Sequence, residues 1–169
     1  MEKFVSQILE KISNYQFLNN LIPGALFCVI LPQLTRYDVM VESVWFNLAI
    51  VYFSGIVISR FGSIVIEELF KKWHIVTFEP YSRYIDASAK DEFIKTLSME
   101  NNMYRTFIAL FVLLLLAKLS DWLASVWVFW DKNIVWILCI IMLSIFIGAY
   151  IKQTKTIVKR IKKQLDNNQ

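Results

Sequence analysis

Residues 134–150 read IVWILCIIMLSIFIGAY and contain no charged side chain, and a basic segment follows at once. About 20 mainly apolar residues are needed to cross the hydrocarbon core of a bilayer. Three further apolar runs occupy residues 17–34, 44–60 and 106–126. The sequence therefore predicts an all-α polytopic membrane protein with four transmembrane helices.

The composition agrees with a lipid environment. Apolar residues make up 57% of the 169 residues, charged residues make up 19%, and the mean hydropathy is +0.49. Soluble domains are about 45–50% apolar and about 25% charged. We expect a single transmembrane helical domain over residues 1–169, with no cleaved signal peptide.

The remaining segments are short and amphipathic or charged. Residues 1–16 predict an N-terminal amphipathic helix, because apolar side chains recur at helical spacing (Phe4, Val5, Ile8, Leu9 and Ile12). Residues 61–105 predict a cytosolic helical loop, and residues 151–169 a basic C-terminal tail. Pro23 is expected to kink or begin the first spanning helix.

Charge predicts the orientation. With four spans, both termini, Arg60 and the 61–105 loop share one side of the membrane, which then holds 15 of the 18 Lys and Arg residues. Positively charged loops stay in the cytoplasm. We predict a multi-pass protein of the bacterial inner membrane, with the N- and C-termini cytoplasmic.

Enzymatic motifs are absent from the sequence. It contains one histidine, His74, and two cysteines, Cys28 and Cys139, without metal-ligand spacing. No nucleotide-binding glycine loop, zinc-protease motif or nucleophile elbow occurs. We predict that the protein is not an enzyme and has no catalytic residue, metal or cofactor.

Polar residues inside the apolar runs have two interpretations. Asn19, Asn20, Asn47 and Ser54 must avoid lipid, because an unsatisfied amide there costs several kcal/mol. They either form hydrogen bonds between helices or line a pore in an oligomer. One chain of this size has little room for its own pore, so conduction requires several subunits.

Small residues follow one face of the second span. Gly55, Ser59 and Gly62 are predicted helix-packing positions, since small side chains let helices approach closely. We expect a homo-oligomer, with a tetramer as the leading candidate.

Cations near the cytosolic side form a candidate ligand site. Arg60 ends the second span and is either a snorkelling anchor or one member of an anion-binding ring. Arg83, Tyr84, Lys90 and Arg105 lie in the loop with Tyr81 and Tyr104. Such a set can stack bases and hold phosphates, and it is also typical of a membrane interface.

Three stretches together resemble a known group: FLNNLIPGALF (17–27), SGIVISRFGSIVIEE (54–68) and SMENNMYRTF (98–107). They are similar to small bacterial four-span membrane proteins of anti-phage defence, including the Hailong-type membrane channel effectors, which are paired with a nucleotidyltransferase. The resemblance implies a homo-oligomeric ion channel that responds to a nucleic-acid-like signal and depolarises the inner membrane. It assigns no individual functional residue.

Two functions therefore stay open from sequence. The first is an oligomeric channel or membrane-depolarising effector, gated from the cytoplasm by a nucleotide, an oligonucleotide or a protein partner. The alternative is a non-conducting scaffold or sensor that recruits a cytosolic protein through the 60–105 region and the tail. A small membrane enzyme or transporter is less favoured, because neither a catalytic set nor an inverted repeat is visible.

Overall fold

The computed structural model describes the backbone of residues 2–166 and the side chains of residue 15 and residues 17–165. Within that part of the chain every regular element is a helix. The elements are α1 (Glu2–Leu34), α2 (Val44–Phe61), a π-helical segment called here the π-turn (Gly62–Ile66), α3 (Glu67–Lys72), α4 (Tyr81–Lys90), α5 (Phe93–Val126) and α6 (Val128–Asp166). Four helical stretches are long and apolar enough to cross a membrane, which confirms the predicted all-α polytopic fold.

The predicted amphipathic helix and the first span are one continuous helix. α1 runs unbroken through Pro23 and Pro32, so Pro23 lies in the helix interior and does not begin the helix. Neighbouring helices make an interior proline tolerable inside a membrane. The N-terminal side chains whose spacing predicted an amphipathic face, from Phe4 to Ile12, lie outside the described side chains.

Three helices are longer than a bilayer is thick. α1, α5 and α6 contain 33, 34 and 39 residues. At 1.5 Å per residue they measure about 50, 51 and 58 Å, against about 30 Å for the hydrocarbon core. Much of the predicted loop and most of the predicted tail are therefore helical continuations of the spans, while residues 167–169 lie outside the described chain.

The core is built by α1, α2, the π-turn and α5. Its buried side chains are Leu31, Ile58, Ile66, Ala109, Leu110 and Leu114. On α6, Ile145 is the buried apolar side chain within the described residues, and most of that helix's other large apolar side chains are exposed. The fold is thus a three-helix core with a fourth spanning helix along its side.

Charged side chains gather at the two ends of the bundle. At the loop end, which carries the 35–43 connection, Arg36 pairs with Asp121 at 3.1 Å and with Asp131 at 2.8 Å. At the opposite end, Glu67 meets Arg105 and Lys152. We call the latter the cleft end; it also carries α3 and α4.

Candidate functional site

An open cleft lies at the cleft end, between the π-turn, α5 and α6. Its volume is about 310 Å³. The lining is mainly polar: Arg60, Ser63, Ile64, Glu67, Asn102, Arg105, Ala149, Lys152, Gln153 and Thr156. We call this the inner cleft. It is shared by three of the four spanning helices, because the π-turn continues α2.

Glu67 is the electrostatic centre of the inner cleft. Its side chain is only 11% exposed and pairs with Lys71 at 2.7 Å and Lys152 at 3.0 Å. The Arg105 guanidinium also donates to its second carboxylate oxygen. A largely buried carboxylate needs such partners, because removing its charge from water without them raises the free energy of the folded protein. One residue therefore links the second, third and fourth spanning helices.

The π-turn exposes a backbone acceptor that Lys152 uses. The Glu67 N–H donates to the Gly62 carbonyl, five residues back, instead of the Ser63 carbonyl four residues back. The Lys152 ammonium donates to that Ser63 carbonyl at 2.6 Å. A π-turn inside a longer helix often marks a functional site. Here it gives α6 a direct hydrogen bond to the backbone of the second span.

Tyr15 brings the first helix close to Arg105. Tyr15 on α1 donates its hydroxyl to the Met99 carbonyl on α5. Burial raises the pKa of Tyr15, and the nearby positive charge of Arg105 opposes part of that rise. The Arg105 Nε is buried and has no hydrogen-bond partner among the described residues. Arg105, a residue of the cleft lining, thus keeps one buried donor without a described partner.

The predicted cytosolic ligand residues are divided between two places. Arg60 and Arg105 line the inner cleft. Arg83, Tyr84 and Lys90 instead lie on α4, outside the lining of the inner cleft. Arg83 pairs with Glu79 at 3.2 Å in an exposed position, and Tyr84 stacks on Tyr81 with ring centroids 6.3 Å apart. The five residues do not form one site.

The predicted polar positions in the spans face contacts inside the chain. Asn47 exchanges two hydrogen bonds of 2.8 Å with the backbone of Val41 at the loop end. Ser54 lies 3.9 Å from the Cys28 sulfur. The Asn19 amide oxygen is buried and has no partner among the described residues. Asn20 is half-buried, and its backbone carbonyl lies against Gly55 of α2.

The predicted packing glycines lie at close helix contacts within one chain. A Cβ atom on Gly55 would lie 1.7 Å from the Asn20 carbonyl oxygen of α1. A Cβ atom on Gly62 would lie 3.1 Å from the Ala109 Cβ of α5. Ser59 is half-buried next to the buried Ile58. The small residues of the second span therefore serve contacts with α1 and α5.

Glu67 and Lys152 are site residues that sequence reasoning missed. Lys152 reads as one of six cations in a solvated tail, and the adjacent carboxylates Glu67 and Glu68 read as a solvated helix face. Gly148 carried a usable signal, because a glycine one turn before Lys152 permits close approach. A Cβ atom at Gly148 would lie 3.3 Å from Ile64 of the π-turn.

Comparison of the chain with protein-family models, curated proteins and solved structures finds no match. The chemistry of the inner cleft therefore has to be inferred from its own residues. Those residues supply three cations, one carboxylate and several neutral hydrogen-bonding groups at the end of a membrane bundle.

Proposed function

We propose that the protein is a homo-oligomeric inner-membrane channel or depolarising effector whose state is set by a ligand at the cleft end. The observation that carries the proposal is the inner cleft, since it joins the second, third and fourth spanning helices. A ligand bound there contacts all three and can favour one arrangement of them over another. Ligands shift conformational equilibria through such differences in contact.

The excess of positive charge supports a cytoplasmic position for the cleft end. The predicted cytoplasmic segments hold 15 of 18 Lys and Arg residues. The signal we propose is a nucleotide, an oligonucleotide or a protein partner, all of which occur in the cytoplasm. The resemblance to small four-span proteins of anti-phage defence supports membrane depolarisation as the outcome.

Packing within one chain supports an oligomeric pore. The centre of the bundle is filled by apolar side chains such as Ile58, Leu110 and Leu114. An ion path must then run between subunits. α6 leaves most of its apolar surface uncovered by its own chain, so it is available to contact lipid or a second copy.

The second candidate function is a non-conducting membrane scaffold or sensor. It is favoured by the placement of Asn47 and Ser54, which make contacts within the chain, and by the apolar exterior of the spans. In that case the cleft end and α4 would recruit a cytosolic protein. Oligomerisation would then bring copies of the recruited protein together and would not form a path for ions.

Recording from purified protein in planar bilayers separates the two functions. The channel proposal expects discrete single-channel currents that change when candidate nucleotides or oligonucleotides are added on the cleft side. Silent bilayers, with correctly inserted and oligomeric protein, would exclude a constitutive channel. Silence in the presence of every candidate ligand, together with capture of a defined cytosolic partner, would establish the scaffold function instead.

A further inference from the structure

We infer that the inner cleft is a binding site for a single phosphate group, borne by a phospholipid head or by a small soluble phosphate ester. The groups we assign to the phosphate are Arg60, Arg105 and Lys152. Arginine and lysine are the side chains that proteins use for phosphate oxygens. The inference deepens the proposed function by naming the ligand chemistry of the same cleft.

Charge favours an anion in the inner cleft. Three cations and one carboxylate line it, which leaves a net positive lining. Lys71 and Glu68 extend the ion-pair network beyond the lining, and as one cation and one carboxylate they leave its net charge unchanged. Arg60 makes no ion pair among the described residues and is exposed at the rim. Its guanidinium is therefore available to a ligand.

Unused donors point in the same direction. The buried Arg105 Nε has no partner in the described structure. Asn102 and Gln153 add amide groups to the wall, and Ser63 adds a hydroxyl. A phosphate has several acceptor oxygens and can engage charged and neutral donors together.

Size and depth restrict the ligand. A cleft of about 310 Å³ is at the lower limit of small-molecule sites, so it suits one phosphate with a small substituent. Along α6, Lys152 lies about 30 Å from Lys132, because 20 residues of helix separate them. This distance matches one hydrocarbon thickness, which places the cleft near the phosphate plane of the lipid heads.

A bound phosphate would compete with Glu67 for Lys152. The Lys152 ammonium now bridges Glu67 at 3.0 Å and the Ser63 carbonyl at 2.6 Å. Moving it toward a phosphate weakens the link between α6 and the π-turn. Binding in the cleft would thereby change the contact between two spanning helices, α6 and the second span.

The test uses full-length protein and measures binding without conductance. One arm uses protein in a phosphate-free alkyl maltoside detergent and titrates it with glycerol phosphate by calorimetry. The other arm uses nanodiscs doped with phosphatidylglycerol and counts the retained anionic lipid by native mass spectrometry. Arg60→Gln is the main variant, since Arg60 has no described ion pair to lose. Lys155→Gln is the matched control, an exposed lysine one turn beyond Lys152.

We expect Arg60→Gln to weaken phosphate binding about tenfold in whichever arm shows binding, which corresponds to about 1.4 kcal/mol. Lys155→Gln should change the phosphate affinity less than about twofold, because an exposed charge outside the cleft is screened by solvent and salt. Glu67→Gln should strengthen binding, because it frees Arg105 and leaves Lys152 with only the more distant Glu68 carboxylate at 3.4 Å, without changing side-chain size. Binding in the lipid arm alone identifies a lipid site, and binding in the soluble arm alone identifies a small-ester site.

Absence of binding in both arms overturns the inference. Equal losses of phosphate affinity in Arg60→Gln and Lys155→Gln also overturn the inference, because they show that the phosphate responds only to the general positive charge of the surface. These outcomes are independent of currents in planar bilayers. A bound phosphate with bilayers that stay silent in its presence would retain the site and exclude a channel opened by that phosphate.

Discussion

Individual residues determine how closely the helices of this bundle approach. Gly24 and Gly55 face the partner backbone across the α1–α2 contact. A Cβ atom at Gly24 would lie 1.9 Å from the Val51 carbonyl oxygen, and one at Gly55 would lie 1.7 Å from the Asn20 carbonyl oxygen. Backbone atoms cannot rotate away as a side-chain end can. Any larger residue must push the two helices apart.

We therefore expect Gly55→Ala to destabilise the protein by about 1–3 kcal/mol, the usual cost of overpacking a well-packed contact. The measurement is unfolding in mixed detergent micelles as the fraction of denaturing detergent rises. Gly148→Ala is the control, because its nearest neighbour is the Ile64 side chain at 3.3 Å. The control should stay within about 1 kcal/mol of wild type, since alanine also favours the helix. Equal effects of the two substitutions would contradict the close-approach explanation.

At the scale of elements, the π-turn is where the second span and α6 are joined. It shifts one backbone hydrogen bond and leaves the Ser63 carbonyl to the Lys152 ammonium. α3 then continues for six residues and ends near His74, which has a φ of 58°. The Ile75 N–H donates to the Phe70 carbonyl and the His74 N–H to the Lys71 carbonyl, the pattern of a Schellman motif.

Lys152→Met should loosen the π-turn without removing the apolar stem of the side chain. Loss of a charge-assisted hydrogen bond at a partly exposed site is expected to cost about 1 kcal/mol locally. Amide hydrogen exchange in residues 63–68 should then rise about fivefold, as local openings become more frequent. Lys155→Met is the control and should leave these amides unchanged. An unchanged exchange rate in Lys152→Met would show that the π-turn is held by its own helix.

At the scale of the whole molecule, charges form two bands separated by an apolar middle. Arg36, Asp121 and Asp131 meet at the loop end, and Glu67, Arg105 and Lys152 at the cleft end. Along α5, Arg105 and Asp121 are about 24 Å apart, somewhat less than one hydrocarbon thickness. Two charged bands with an apolar layer of this order between them are expected of a bundle that crosses a bilayer.

Orientation in the membrane is tested by reporter fusions. A reporter that is active only in the periplasm should be silent after Gln169 and active near Asp131, because the positive excess stays in the cytoplasm. The two fusions serve as controls for each other. The reverse pattern would place the inner cleft outside the cytoplasm and would remove cytosolic gating from consideration.

Assembly is tested by the mass of the purified protein. We expect a homo-oligomer in mild detergent, with a tetramer as the leading candidate, because apolar side chains fill the centre of one chain and an ion path then needs several subunits. Native mass spectrometry in several detergents and in nanodiscs measures the subunit number. A uniform monomer in all of them would contradict both the oligomer and the channel.

The number of spanning segments could be predicted from the sequence. Apolar runs such as 134–150 and the charges that flank them are local properties of the chain, and the bilayer thickness alone converts them into spans. The candidate site was predicted only in part. Arg60 and Arg105 were recognised as cations near the membrane boundary, while Lys152 was assigned to a solvated tail.

The tertiary structure decided which charges meet. Arg105 lies 38 positions from Glu67 and Lys152 lies 85 positions from it, yet all three converge in the inner cleft. Their meeting depends on the rotation of α5 and α6 about their axes and on the extra residue of the π-turn. Helix periodicity states which residues share a face, but packing against other helices decides where that face points. In this protein, local apolar runs therefore predict the spanning helices, while the packing of those helices brings the residues of the inner cleft together.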